Sequence, residues 1–272
     1  MLPSPESLEG KPVPDVTFKI RPGGQSRDLS SEALFKGKTV VVFALPGAYT
    51  PTCSSSHLPR YNELAPTLRR HGVDDIVCIS VNDAFVMDAW AQGQEAGEIT
   101  MIADGNADFT ERMGLLVDKR AIGLGQRSWR YSMLVRDGII DKVFLERYDE
   151  NDPEADPFEV SDADTMLRHI APEAKAPEPV VMFSKPGCPF CARAKAILKA
   201  RGISFTDISQ DNRITTSVLR AVSGGNTWPQ VFEGGRLIGD AEAVAAHFGP
   251  LPVVDNSGAT TATAETAAGT AA

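Results

Sequence analysis

Two continuous apolar runs constrain the fold of this chain most strongly. Residues 39–45 and 75–81 are dominated by valine, isoleucine and other apolar residues, without the alternation of a half-solvated strand. Such runs are typical of strands buried on both faces of a parallel sheet. Apolar residues recur at helical spacing over 58–68, and a second helical pattern follows a cap at Asn82 or Asp83. The sequence therefore predicts an α/β domain whose helices cover a central sheet.

A break in this periodicity divides the chain into two parts. Residues 171–179 contain three prolines and alternating charges, a composition typical of a semi-rigid, solvated linker. A second strand–helix–strand pattern begins directly after this stretch. We therefore expect one domain in residues 1–170, a linker in 171–179 and a smaller domain in 180–252.

Further elements are predicted on both sides of the linker. In the first domain, Asp137 and Gly138 separate two apolar runs and indicate a tight hairpin. In the second domain, the predicted strands are 180–184, 203–208, 230–232 and 236–238, and the predicted helices are 189–200, 212–222 and 241–248. Residues 253–272 are rich in alanine and threonine and have no apolar stripe, so we expect a disordered tail there.

Composition limits the classes of function. The formal net charge of −9 argues against a nucleic-acid binder that depends on a basic field. No run approaches the roughly 18 apolar residues of a membrane span, and residues 1–15 lack the apolar core of a secretory signal. We therefore expect a cytoplasmic protein without nucleic-acid or membrane partners. Four cysteines are too few for a disulfide scaffold, so they indicate redox or metal chemistry.

The segment after the first buried strand has the features of a reactive thiol site. Cys53 would lie in the first turn of a helix at the carboxyl end of a strand, where ligands of open α/β sheets collect. Free N–H groups and the helix dipole stabilise a thiolate there, and the thiolate is the reactive form of cysteine. Thr50, one turn away, can donate or accept a hydrogen bond. The alternative is a buried structural cysteine, which the prolines around this polar turn disfavour.

The spacing of Pro46, Thr50 and Cys53 resembles the peroxidatic motif of the peroxiredoxins. The resemblance extends to residues 80–83 and 130–133, which are typical of the type-5 subgroup. It implies a thioredoxin-like fold and a peroxidase that carries out its chemistry without a bound cofactor.

The same resemblance, which covers residues 11–170, implies a role for each site residue. Cys53 attacks a peroxide oxygen and becomes a sulfenic acid, while Thr50 and nearby backbone amides hold the peroxide. Arg130 stabilises the thiolate and the charge that develops on the leaving oxygen. Pro46 shields the site from water. These roles fit the chemistry, because cleavage of an O–O bond needs a thiolate, a cation and hydrogen-bond donors.

Three neighbouring residues receive a different interpretation. Arg127 is the alternative to Arg130, which we prefer because it directly precedes the Tyr-Ser-Met strand. Cys78 lies mid-strand among apolar residues and is interpreted as packed, so the domain needs a resolving thiol from elsewhere. His57, one turn after Cys53, is interpreted as a helix-packing or interface residue. The two cysteine or histidine pairs that a structural zinc site needs are absent from the sequence, so no metal is expected.

A second thiol motif, Cys188 and Cys191, follows the first strand of the second domain and opens its helix. In a cytosolic strand–helix–strand setting, two cysteines separated by two residues indicate a redox dithiol. The helix N-terminus and nearby Lys185 favour the thiolate of Cys188, whereas Cys191 lies one turn further along. The alternatives are half of a zinc site and two packed cysteines.

Residues 179–248 resemble a glutaredoxin, since the dithiol and the motifs at 227–232 and 234–239 stand in family order. This resemblance implies a thioredoxin-like fold and glutathione as a co-substrate. The residues that it implies for glutathione binding are Lys185 for the glycine carboxylate, Phe190, Thr227, Trp228, a cis-proline at Pro229, and Gly239 with Asp240 for the γ-glutamyl end. Residues 239–243 depart from the family pattern, which leaves open whether the thiol is glutathione or a variant of it.

Together the two resemblances imply a glutathione-dependent peroxidase that reduces hydrogen peroxide and alkyl hydroperoxides. Cys53 would react with the peroxide, and the dithiol of Cys188 and Cys191 would recycle it. The implied partners are peroxides, glutathione and, indirectly, glutathione reductase with NADPH, in a dimer or tetramer. The alternatives are a peroxiredoxin reduced by thioredoxin whose second domain acts on other mixed disulfides, an iron–sulfur binding module, and a peroxide sensor.

Overall fold

Residues 2–149, 151–152 and 154–251 are described by a computed structural model. The chain divides into two units between Pro177 and Glu178. Part of the stretch predicted as a solvated linker packs on the first unit, where Ala171, Ala174 and Ala176 contact the apolar core. The predicted tail, residues 253–272, lies outside the described residues.

The first unit is built around a five-stranded sheet. Its strands are β1 (Thr17–Ile20), β2 (Arg27–Ser30), β3 (Thr39–Ala44), β4 (Asp75–Ser80), β5 (Thr100–Ala103), β6 (Leu116–Asp118), β7 (Gln126–Ser128), β8 (Tyr131–Arg136) and β9 (Ile139–Leu145). Its α-helices are α1 (Pro5–Leu8), α2 (Ser31–Phe35), α3 (Leu58–Arg70), α4 (Ala84–Gly93), α5 (Asp108–Arg112) and α6 (Ala163–Ile170). The large sheet has the order β5-β4-β3-β8-β9, while β1 with β2 and β6 with β7 form separate two-stranded sheets.

The two apolar runs form the centre of the large sheet. β3 and β4 pair in parallel, and all their residues except Thr39 and Asp75 are buried. Val41 and Phe43 join a core with α3, α4 and α6, whereas Val40 and Val42 join a core on the other face with α2 and α5. A sheet covered on both faces explains why these strands are apolar throughout, and the predicted α/β fold is confirmed.

Local signals in the sequence also proved reliable. Asp83 caps α4, since its carboxylate accepts the N–H groups of Phe85 and Val86. The hairpin between β8 and β9 turns at Asp137 and Gly138, which both adopt positive φ, at 49° and 79°, as its tight turn requires. Several short elements of this unit were not predicted from the sequence: β1, β2, β5, β6, β7, α1, α2, α5 and α6.

The second unit is a smaller α/β layer. Its strands are β10 (Val180–Ser184), β11 (Thr206–Ser209), β12 (Gln230–Glu233) and β13 (Arg236–Gly239), and its helices are α7 (Pro189–Ala200), α8 (Thr216–Ser223) and α9 (Ala241–Phe248). The sheet order is β11-β10-β12-β13, with β10 and β11 parallel. As in the first unit, a thiol motif follows a buried central strand.

Two predicted boundaries in this unit were wrong. The strand predicted from residue 203 begins at Thr206, because the N–H of Ile203 still bonds to Leu198 at the end of α7. The helix predicted from residue 212 begins at Thr216, because the carboxylate of Asp211 holds the N–H groups of the next turn. Thr215 then caps α8 by accepting the N–H of Val218.

Candidate active sites

The loop after β3 forms one wall of the first site. Pro46 is buried, and Tyr49 adopts a φ of 63°, a conformation that costs about 1–3 kcal/mol for a non-glycine residue and is concentrated at functional sites. The hydroxyl of Thr50 donates to the carbonyl of Gly47 at 2.8 Å. This bond uses the only hydroxyl proton and leaves the Thr50 oxygen free to accept a hydrogen bond.

Cys53 lies just inside the helix that follows this loop. The turn at residues 53–57 is wider than an α-helical turn, since the N–H of Leu58 bonds to the carbonyl of Cys53. Such π-turns occur frequently at functional sites. The side chain of Cys53 is fully buried, so the chemistry of its thiol depends on the few groups around it.

Arg130 is the cation that contacts Cys53. The antiparallel pairing of β8 with β3 places Tyr131 opposite Ala44, which brings Arg130 to the edge of the sheet where the Cys53 loop begins. Its Nη1 lies 3.5 Å from the Sγ of Cys53, and its side chain is only 1% exposed. The Nε is buried and has no hydrogen-bond partner among the described residues. A guanidinium placed in this way stabilises a thiolate and can still donate to a second acceptor.

Arg127 occupies a different position. Its Nη1 donates to the carbonyl of Val81 at 2.9 Å, and its Nε donates to the carbonyl of Leu124 at 2.7 Å. The guanidinium also lies against Gly47, where an added Cβ would be 3.3 Å from Nη1. Arg127 therefore supports the loop backbone, while Arg130 faces the thiol.

His57 belongs to the first site in a way that the sequence analysis missed. Its Nδ1 lies 3.1 Å from Nη1 of Arg130, and its Nε2 lies 3.2 Å from the carbonyl of Ser161. Burial, together with the charge of Arg130, holds the pKa of His57 well below its usual range. Because a guanidinium can only donate, Nδ1 is the acceptor and Nε2 carries the proton. The spacing of four residues from Cys53 was a signal that both side chains share one helix face.

Cys78 is placed as a structural residue. It lies in the middle of β4 opposite Phe43 and is fully buried. Burial, and then the nearby Cys53, raise the pKa of Cys78 well above its usual value. This thiol stays protonated near neutral pH, so it is a poor nucleophile towards an oxidised Cys53.

The second site is formed where β10 leads into α7. Cys188 is the N-cap of α7, and its Sγ accepts the N–H of Cys191 at 3.3 Å. The Sγ of Cys191 accepts the N–H of Lys185 at 3.4 Å and is buried. Cys188 is partly exposed, whereas Cys191 faces the apolar core of the unit.

The two thiols of this site are electronically unequal. Burial alone would raise the pKa of Cys188, but it is outweighed by hydrogen bonds from Cys191 and the N–H of Phe190 and by the charge of Lys185, so that this pKa is lowered. Burial and the hydrogen bond with Cys188 raise the pKa of Cys191 to about 11. Near neutral pH, Cys188 is therefore the better nucleophile of the pair.

Several of the residues expected to bind glutathione surround Cys188. The Trp228–Pro229 peptide bond is cis, as the resemblance implied, and the carbonyl of Trp228 lies 3.7 Å from the Sγ of Cys188. The side chains of Lys185 and Thr227 are exposed, and the Phe190 ring is 58% exposed. Among these residues, Trp228, Phe190 and Lys185 interact with the thiol of Cys188.

Gly239 and Asp240 lie at the start of α9. Gly239 has a φ of 126°, and the carboxylate of Asp240 accepts the N–H groups of Glu242 and Ala243. One carboxylate oxygen of Asp240, Oδ1, thus caps its own helix. An ion pair between Arg193 of α7 and Glu242 joins this turn to the helix that carries the dithiol.

The described part of the chain contains neither a cluster of metal-binding side chains nor a membrane-spanning helix. No group of three histidine, cysteine, aspartate or glutamate side chains is placed to hold a metal ion there. Within residues 2–149, 151–152 and 154–251, no helix combines the length and the apolar character needed to cross a membrane.

Family models match both parts of the chain. The Redoxin family model matches residues 8–167, and the Glutaredoxin family model matches residues 180–238. The hybrid peroxiredoxin hyPrx5 of Haemophilus influenzae is 54% identical over 242 residues, which cover 89% of this chain and 99% of that protein. Peroxiredoxin sll1621 of Synechocystis is 50% identical over 184 residues, which cover 63% of this chain and 96% of that protein.

A solved structure supports the assignment of the first unit. Reduced Prx3 of Vibrio vulnificus in complex with hydrogen peroxide is 42% identical, with a TM-score of 0.55, and the match covers 60% of this chain and 98% of that one. Both units carry thioredoxin-like folds of the matched families. The chain belongs to the peroxiredoxins, in their hybrid form, where a peroxidase domain is followed by a glutaredoxin domain.

Proposed function

We propose that the chain reduces hydrogen peroxide and alkyl hydroperoxides through Cys53 at the expense of glutathione, and that Cys188 returns Cys53 to its thiol form. One observation supports this most directly. The thiol beside Arg130 has no reactive partner in its own unit, because Cys78 is held within β4. The second unit supplies a dithiol in which one pKa is lowered and the other raised.

The first step is cleavage of the peroxide. The Cys53 thiolate attacks one peroxide oxygen, the O–O bond breaks, and the departing oxygen leaves as water or an alcohol after taking up a proton. Cys53 becomes a sulfenic acid. The Nε of Arg130 and the amides of Thr52 and Cys53 donate hydrogen bonds to the peroxide, and the Thr50 oxygen accepts a hydrogen bond from the peroxide O–H. Pro46 keeps bulk water away.

The remaining steps regenerate Cys53. A glutathione thiolate attacks the sulfenic sulfur, forms a mixed disulfide and releases water. Cys188 then attacks the glutathione sulfur, frees the Cys53 thiolate and carries the glutathionyl group. A second glutathione removes this group as glutathione disulfide, or Cys191 closes a disulfide that two glutathione molecules later reduce. The bound glutathione is held by Lys185, Phe190, Thr227, Trp228 and Pro229. Its γ-glutamyl end contacts Gly239 and Asp240.

The test is steady-state turnover of the intact chain. NADPH oxidation is followed with hydrogen peroxide or an alkyl hydroperoxide, glutathione and glutathione reductase, and compared with the rate when thioredoxin, its reductase and NADPH replace them. We expect rapid turnover with the glutathione system and slow turnover with the thioredoxin system. The opposite order would show that the second domain serves other disulfides.

Replacing Arg130 by lysine is expected to slow the first step by ~10²-fold, the cost typical of losing one preorganised donor. Lysine offers one strongly hydrated point charge, whereas the guanidinium can hold the thiolate and a peroxide oxygen together. The rate constant for peroxide-dependent oxidation of Cys53 measures this effect, and the later glutathione steps should be little changed. Arg127→Lys is the matched control. If Arg127→Lys slows the first step and Arg130→Lys does not, the two roles have been exchanged.

A further inference from the structure

A short segment after β9 reaches back to the first site. The carboxylate of Asp156 is paired with Nη2 of Arg130. The Nη1 of the same guanidinium contacts both Cys53 and His57. Asp156 therefore holds Nη2, the terminal nitrogen of Arg130 that is not directed at the thiol. This pairing restricts rotation of the guanidinium plane.

The same segment also fixes His57. The carbonyl of Ser161 accepts from Nε2 of His57 at 3.2 Å and from the hydroxyl of Tyr61 at 3.0 Å. The centroid of the Phe158 ring lies 4.9 Å from the centroid of the His57 ring and 5.5 Å from Cζ of Arg130. Arg130 is thus contacted from this segment by an anion and by an aromatic face, while His57 accepts from its Nη1.

A buried carboxylate anchors the segment. One oxygen of Glu146 accepts the N–H groups of Glu159, Val160 and Ser161, each at 2.9 Å, and the hydroxyl of Ser161 at 2.8 Å. Glu146 is only 2% exposed. The N–H of Glu146 bonds to the carbonyl of Arg130 at 3.2 Å. Glu146 therefore ties the segment to the backbone of the same arginine whose side chain the segment contacts.

We propose that residues 156–161, which we call the Glu146-anchored segment, position Arg130 for the attack of Cys53 on the peroxide. Asp156 holds Nη2 of the guanidinium and His57 holds Nη1, so that Nε remains available for a peroxide oxygen. The segment acts on the reacting atoms through Arg130 and His57, so its residues are positioning residues. This inference rests on the proposed roles of Cys53 and Arg130.

Asp156→Ala separates positioning from charge. The substitution removes the group that orients the guanidinium but leaves the positive charge of Arg130 beside the thiol. We expect the rate constant for oxidation of Cys53 by hydrogen peroxide to fall by ~10–100-fold, as small misplacements of a reacting constellation do. The rate of alkylation of Cys53 by iodoacetamide is measured by mass spectrometry of the Cys53 peptide. We expect this rate to change by less than about 3-fold, because alkylation depends on the thiolate and not on an oriented donor.

Two variants control this experiment. Asp156→Asn keeps an acceptor oxygen and should restore most of the peroxide rate. Asp164→Ala removes a carboxylate of similar exposure, 33% against 37%, that pairs with Arg60 and not with the site arginine. It should leave the peroxide rate unchanged.

Three results would overturn the proposal: an unchanged peroxide rate in Asp156→Ala, a parallel fall in both rates, or a loss equally large in Asp164→Ala. If Asp156→Ala does not fold, Asp156→Glu gives the same test, because it displaces the carboxylate by one methylene and keeps its charge. Cys53→Ser, measured alongside, tests the proposed function separately. Peroxide consumption that survives Cys53→Ser refutes that function, whatever Asp156→Ala does.

Discussion

Peroxide consumption is expected to fall by more than about 100-fold when Cys53 is replaced by serine. A serine hydroxyl is not ionised near neutral pH, so Arg130 would face a neutral oxygen in place of a thiolate. The loss should appear both in steady-state turnover and in a single reaction with one equivalent of peroxide. It should leave the thiol exchange activity of Cys188 intact.

Cys78→Ala is the matched control, because Cys78 is equally buried and lies in the same core. We expect the turnover of this variant to match that of the unmodified chain, since the protonated thiol of Cys78 plays no part in the cycle. Residual activity above about a hundredth of the original rate in Cys53→Ser would refute the assignment of the nucleophile. Accumulation of Cys53 sulfenic acid in Cys78→Ala would identify Cys78 as a resolving residue.

Cys188→Ser is expected to stop glutathione-driven cycling while leaving the first oxidation of Cys53 at its normal rate. The mixed disulfide at Cys53 then lacks its attacking thiolate. The lowered pKa of Cys188 increases the fraction of its thiolate at a given pH, and this fraction falls as the pH falls through this pKa. Cys191 is a poor substitute in this variant, because it is buried in the apolar core of the unit and burial raises its pKa.

Cys191→Ser should have a milder effect than Cys188→Ser. Glutathione in solution can complete the exchange at Cys188 without a second protein thiol. NADPH oxidation in the glutathione-coupled assay measures both variants. Equal losses in the two variants would show that an internal disulfide is obligatory, and full activity in Cys188→Ser would place the second domain outside the cycle.

The features that the sequence predicted well depend on neighbours along the chain. The cap at Asp83, the turn at Asp137 and Gly138, and α7 from Pro189 to Ala200 all follow from short-range hydrogen bonds and periodicity. Cys53 and Cys188 could be singled out because each follows a buried strand and opens a helix. This arrangement places a thiol at the carboxyl edge of a sheet.

The features that it did not predict depend on contacts between distant residues. His57 meets Ser161 across 104 positions of the chain, and the pairing of Asp156 with Arg130 depends on an irregular segment that has no periodic pattern. The local sequence cannot distinguish a buried histidine that accepts a hydrogen bond from an arginine from a histidine that is only packed in the core. Only the register of β8 against β3 brings Arg130 to His57.

The central claim, that both sites act in one cycle, is tested most directly by following one glutathionyl group. Reduced Cys191→Ser chain is oxidised with one equivalent of peroxide and mixed with glutathione, and its cysteine peptides are identified by mass spectrometry after rapid quenching. The account predicts an adduct first on Cys53, which decays at the rate at which an adduct on Cys188 appears. It also predicts that the Cys53 adduct accumulates when Cys188 is replaced by serine. An adduct on Cys53 that disappears equally fast without Cys188 would contradict the account.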